Sequence, residues 1–147
     1  MGGSGARRIG LVGCVKEKSA TPRPAADLYT STLFRGRVRY VRRSCDRWFI
    51  LSALHGLVDP DAVLEPYDVT LNDASRQERR EWNRRVLAQL RDRLGDLGEY
   101  EFEIHAGASY RDFGLTDGLT SAGASVSVPA AGLGFGHQLA FYADSHP

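Results

Sequence analysis

Two rhythms of apolar positions alternate along the chain. Residues 8–13 (Arg-Ile-Gly-Leu-Val-Gly) make a short apolar run closed by glycine, the pattern of a buried first strand. Beyond the loop marked by Pro22 and Pro24, Ser31 is placed to cap a helix, and Phe34, Val38 and Val41 follow at helical spacing. Residues 47–53 (Arg-Trp-Phe-Ile-Leu-Ser-Ala) give the clearest strand. A long loop with Pro60 and Pro66 comes next. Ser75 and Glu78 have the spacing of a capping box. The helix they open carries Trp82, Val86, Leu87, Leu90 and Leu94 on one face, with Gly95 as its stop. Residues 100–106 and 124–129 read as two further strands, and residues 137–142 as a closing helix.

Strands alternating with helices predict an α/β domain, with a mostly parallel central sheet and helices on both faces. Ligands of such sheets bind beyond the carboxyl ends of the strands. Each predicted strand runs into a turn rich in reactive side chains, at residues 13–18, 52–57, 105–110 and 129–138. In a parallel sheet all four turns share one rim, and this convergence is the main argument for a site.

Composition sets the bounds. A chain of 147 residues suits one domain, here residues 8–147 behind a flexible Gly/Ser leader at 1–7. At 42% hydrophobic and 25% charged residues it is neither disordered nor fibrous. No apolar run approaches the roughly 18 residues of a membrane span, and no secretory signal leads the sequence. Two cysteines, Cys14 and Cys45, are too few for a disulfide framework. The expectation is a cytoplasmic protein without a membrane partner. Net charge is +1, but residues 1–47 hold 11 basic and 3 acidic side chains, while 48–75 hold 5 acidic and no basic ones. A basic first third suits phosphate. The arginine-rich stretch 76–93 reads first as a solvated helix face. Of 19 basic residues 17 are arginine, as a GC-rich genome would give, and the two lysines, Lys16 and Lys18, sit together near Cys14.

Each turn offers candidates. Cys14 is either a small buried residue or a thiol whose pKa two ammonium groups would lower. Lys16 and Lys18, two apart in an extended loop, would meet a phosphate or carboxylate. Ser52 and His55 follow the second strand, and His55 precedes a glycine that permits a tight turn. Asp68, after Pro66 and Tyr67, offers a carboxylate beside an aromatic ring, or else anchors its loop. His105 lies in an apolar strand end and reads as core, ahead of Ser109 and Tyr110. Gly132, Gly134 and Gly136 before a helix resemble a phosphate-cradling loop with Gln138 beyond it, though not with dinucleotide or Walker spacing. No zinc spacing occurs, so neither a metal nor a cofactor is expected.

Taken in order, residues 11–18 (Leu-Val-Gly-Cys-Val-Lys-Glu-Lys), 25–29 (Ala-Ala-Asp-Leu-Tyr), 50–57 (Ile-Leu-Ser-Ala-Leu-His-Gly-Leu), 66–68 (Pro-Tyr-Asp), 107–110 (Gly-Ala-Ser-Tyr) and 129–138 resemble short bacterial domains of unknown function related to the YaaA peroxide-stress family. The resemblance covers residues 8–143. It implies a YaaA-like or uracil-DNA-glycosylase-like core and an association with nucleic acid and oxidative DNA damage. The chain is much shorter than YaaA and lacks a helix-hairpin-helix segment. The expected partner is therefore a nucleotide, a nucleobase or single-stranded nucleic acid. The expected function is an enzyme breaking an N-glycosidic bond. In that reading Asp68 stabilises the sugar cation or positions water, and His55 donates to the leaving base. Lys16, Lys18 and the glycine loop hold phosphate, and Tyr29, Tyr67 or Tyr110 stacks on the base. Cys14 as nucleophile is a variant. The alternative is a non-catalytic nucleic-acid-binding stress module gripping phosphate through residues 1–47 and 76–93.

Overall fold

The computed structural model describes residues 7–13, 22–28, 31–64, 67 and 70–143. Its centre is strand β1 (Arg7–Gly13), whose last five residues are buried. β1 pairs in parallel with β3 (Arg47–Ser52) on one side and with β6 (Tyr100–His105) on the other. The edges are short: β4 (Gly56–Val58) runs antiparallel beside β3, and β7 (Ser125–Ser127) runs parallel beside β6. The order β4-β3-β1-β6-β7 makes a mostly parallel five-stranded sheet. A two-stranded ribbon, β2 (Arg23–Pro24) with β5 (Val63–Leu64), lies apart from it, next to helix α1 (Ala25–Leu28). No helix among the described residues is long and apolar enough to cross a membrane.

Residue alternation divides the strands between two layers. Helix α2 (Thr32–Ser44) packs on the side of Gly10, Val12, Glu103 and His105. Its cap is the expected one: Ser31 Oγ accepts from the Phe34 N–H at 3.1 Å. The close seat of α2 on the sheet explains Gly10, where an added Cβ would lie 2.8 Å from Val41 Cγ1. Helix α6 (Phe135–Ala143) rests on α2 in the same layer. The opposite layer holds α3 (Arg76–Leu94), the short α4 (Ala108–Arg111) and α5 (Leu115–Ser121), over Ile9, Leu11, Phe49, Phe102 and Ile104. The capping box of α3 is complete, with Ser75 and Glu78 exchanging side-chain-to-backbone hydrogen bonds, and Gly95 ends the helix at φ 81°.

Three features depart from the sequence reading. The turn after β3 is a hairpin: residues 53–55 reverse the chain and Gly56, at φ 76°, leads into β4. The stretch taken as loop therefore supplies an antiparallel edge, because the three buried residues Gly56–Val58 are too few to show a period. Helices α4 and α5 went unpredicted among glycines and polar residues. The closing helix begins at Phe135, so Gly136 lies inside it instead of ahead of it.

Candidate functional site

The chain runs outward from β1 to β3 and β4 on one side, then returns through α3 to β6 and β7 on the other. The sheet thus has a topological switch point between the carboxyl ends of β1 and β6, where ligands of open α/β sheets bind. Gly13 ends β1 there, so close to the end of β6 that a Cβ on it would sit 2.6 Å from Ala106 Cβ.

A cavity of about 150 Å³ opens beside this point, with Arg37, His105, Arg111, Gly132, Gln138 and Tyr142 in its wall. Arg37 Nη1 donates to Gly13 O and Nη2 to Gln138 Oε1, each at 3.3 Å. Gln138 is fixed in turn by donating to Leu133 O at 2.9 Å. Behind Arg37 runs a buried polar chain. Arg37 hydrogen-bonds the Tyr142 hydroxyl, which lies 2.7 Å from His105 Nδ1. His105 Nε2 lies 2.7 Å from Glu103 Oε1, and Ser44 Oγ donates to the same oxygen at 2.8 Å. Tyr40 leans on the His105 ring with centroids 4.9 Å apart.

Burial pulls the Glu103 carboxyl upward, but the hydrogen bonds from His105 and Ser44, helped by nearby positive charge, prevail and hold it below the usual carboxylate range. Burial pushes the Tyr142 phenol up to about 12, against the pull of Arg37. Tyr142 is therefore a protonated donor at neutral pH. The His105 ring thus bridges the Tyr142 hydroxyl and the Glu103 carboxylate. Cys45, beside Glu103, is pushed up to about 12, mainly by burial, and stays a thiol.

A second polar cluster lies beyond β3. Ser52 Oγ is 2.7 Å from the Tyr67 hydroxyl and accepts from the His55 N–H at 3.1 Å. The His55 ring is exposed and meets Tyr67 edge-on at 5.6 Å. Trp82 Nε1 donates to Ser52 O. The two clusters flank the end of β1, consistent with the shared rim.

The predicted residues fare unequally. Ser52, Tyr67, Gly132 and Gln138 lie at the rim or the cavity, and His55 stands exposed above its turn. Ser109 donates to Asn72 Oδ1 at 2.9 Å and is buried. Tyr110 is not a rim ring: it is buried and T-stacked on Trp82 at 5.2 Å, because α4 turns it into the opposite layer. Gly134 and Gly136 are exposed. Cys14, Lys16, Lys18, Tyr29 and Asp68 lie outside the described residues. His105, read as core, is indeed only 1% exposed, but it is the centre of the polar chain.

Sequence reasoning missed Arg37, Glu103, Arg111 and Tyr142. Arg37 left a signal: it is three residues past Phe34 and four before Val41, on the apolar face of α2. Among the described residues no cluster of His, Cys, Asp or Glu gathers to hold a metal. The cationic cavity wall instead suits an anion. A larger open depression of about 650 Å³ lies at the amino end of β3, lined by Arg42, Asp46, Arg47 and Asp59. Its Asp59 is engaged by Arg93 and Arg47, so it is a salt-bridged surface lacking a convergent donor set.

Residues 9–144 match a family of unknown function, DUF6884, and the chain belongs to that family. The uncharacterized protein YfjM of Bacillus subtilis (strain 168) is 37% identical over 71 residues, which are 44% of this chain and 47% of YfjM. The match thus spans about half the length of that curated relative. No solved structure matches the chain.

Proposed function

We propose that this DUF6884 member recognises a nucleotide or nucleobase across the carboxyl ends of β1, β3 and β6, and hydrolyses an N-glycosidic bond there. The observation that carries the reading is the cavity at the switch point, with two guanidinium groups in its wall. The resemblance of the ordered motifs to YaaA-related domains, which would imply a uracil-DNA-glycosylase-like core, points to the same substrate class.

In the reaction, the bond between the anomeric carbon and the base nitrogen breaks. Water adds its oxygen to the sugar, and its proton goes to the base. Asp68 stabilises the oxocarbenium-like sugar or orients the water, and His55 donates to the leaving base. Tyr67, held by Ser52 and next to Asp68 in the chain, provides a stacking surface, with Tyr29 as a second candidate. Lys16 and Lys18 face phosphate. Cys14 is the nucleophile only in the variant with a covalent intermediate.

The test is release of free base, followed by chromatography, from a panel of nucleotides, modified nucleotides and single-stranded oligonucleotides. Turnover that Asp68→Asn abolishes and His55→Ala cuts at least tenfold is expected. No release from any member, with ligand affinity indifferent to both changes, refutes the reading.

A second reading, a non-catalytic nucleic-acid-binding module, draws on the exposed face of α2, where Arg35, Arg39, Arg42 and Arg43 recur at helical spacing. Affinity for single-stranded nucleic acid that falls steeply with salt, without base release, favours it. Binding that ignores salt removes it.

A further inference from the structure

Helix α2 carries five arginines, and four of them, Arg35, Arg39, Arg42 and Arg43, are exposed. Arg37 is 6% exposed. Burying a guanidinium is costly, so a buried one calls for dedicated partners. Arg37 has Gly13 O, Gln138 Oε1 and the Tyr142 hydroxyl, and through Tyr142 and His105 it is coupled to the Glu103 carboxylate. A second cation closes the opposite wall. Arg111 Nε donates to Ala106 O at 3.1 Å and Nη1 to Asp112 Oδ1 at 3.0 Å, while Nη2 makes no hydrogen bond among the described residues. No carboxylate among the described residues lines the cavity. Its 150 Å³ is well above the roughly 10–15 Å³ that one water needs. That is ample for one tetrahedral or planar anion.

We propose that this cavity is an oxyanion subsite that takes the phosphate or carboxylate group of the ligand between Arg37 and Arg111. Tyr142, His105 and Glu103 are positioning residues: each is held by a hydrogen bond to the next, so Arg37 is held in one orientation before the anion arrives. The subsite rests on the nucleotide reading only for the identity of the remaining ligand. It adds two arginines to the groups proposed to meet the anion.

The test is a titration of the ¹⁵N-labelled full chain with inorganic phosphate, and in parallel with acetate, followed by two-dimensional NMR. Saturable shifts are expected at the amides of Gly107, Ala108 and Gly132. Tighter phosphate binding assigns a phosphoryl group, and tighter acetate binding a carboxylate. Arg111→Gln weakens the preferred anion about tenfold, as loss of one charge-assisted hydrogen bond does, and Arg111→Lys restores part of it. Arg37→Gln risks the fold, so Tyr142→Phe tests the positioning chain. Anion affinity falls several-fold while the spectrum keeps its dispersion. Unchanged affinity in a folded Tyr142→Phe protein overturns the positioning role. The absence of saturable shifts, or shifts confined to the exposed arginines of α2 and α3, overturns the subsite. Phosphate binding at these amides with no nucleotide binding more tightly than phosphate itself removes the nucleotide reading and leaves the subsite standing. Tight nucleotide binding that leaves these amides unmoved and ignores Arg111→Gln does the reverse.

Discussion

The two faces of the sheet solve the same packing problem with different chemistry. Under α3, α4 and α5 the strands present Ile9, Leu11, Phe49, Leu51, Phe102 and Ile104, a layer of hydrocarbon and aromatic carbon. Under α2 and α6 the same strands present Glu103 and His105 beside Gly10, Val12 and Ile50, and the helices answer with Arg37, Ser44 and Tyr142 set among Phe34, Val38 and Val41. A buried charge adds little net stability over a well-packed apolar residue. The polar face is therefore better explained by what it borders, which is the cavity at the switch point. The apolar face is core alone, whereas the polar face combines core with the wall of the cavity.

Substitutions on each face sharpen the contrast. Phe102→Ala, on the apolar face, should remove about 3–5 kcal/mol of stability in urea denaturation, because a fully buried ring leaves a cavity. Glu103→Gln, its neighbour on the other face, should cost about 1–3 kcal/mol at neutral pH, since one charged acceptor is lost from a hydrogen-bonded chain. A loss as large as that at Phe102 would mean the polar chain is the main stabilising element and would break the comparison. The two should also differ in acid. Glu103 titrates lower in the folded state than in the unfolded chain, so its contribution is complete above the unfolded value of about 4.3 and is lost as pH falls through the folded value. Denaturation from pH 7 to pH 3 should show the Glu103→Gln deficit shrinking in acid while the Phe102→Ala deficit persists.

Gly10→Ala probes how tightly α2 sits on the polar face. Its new methyl would meet Val41 and the Cys45 sulfur, at a cost of about 1–3 kcal/mol by overpacking. A neutral result in thermal denaturation would mean that α2 slides freely and that the geometry of Arg37 is soft. Ser75→Ala, which touches neither face, should cost about 1 kcal/mol through the lost cap and leave anion binding unchanged.

What could be read in advance follows the range of the interactions. Strands β1, β3 and β6 and helices α2 and α3 announce themselves because period, cap and stop lie within one segment, as with Ser75, Glu78 and Gly95. The hairpin to β4 left no period. The polar chain was invisible for another reason: His105 meets Tyr142, and Glu103 meets Ser44, through partners far off in the sequence. An isolated histidine in an apolar strand looks like core until the fold brings its neighbours. The rim itself was legible from the strand ends, but which side of it holds the cavity depends on the strand order, and that is set by long-range pairing.

That pairing has a consequence for how the molecule is made. The first strand of the sheet is also its centre: Ile9 must find Arg47 on one side and Phe102 on the other. During synthesis β1 emerges with neither neighbour available, and its second partner arrives only after α3 has been made. Such non-local closure slows folding and leaves an apolar segment waiting in the open. Until β6 docks, the growing chain has an unsatisfied strand edge, the species a chaperone would be expected to hold.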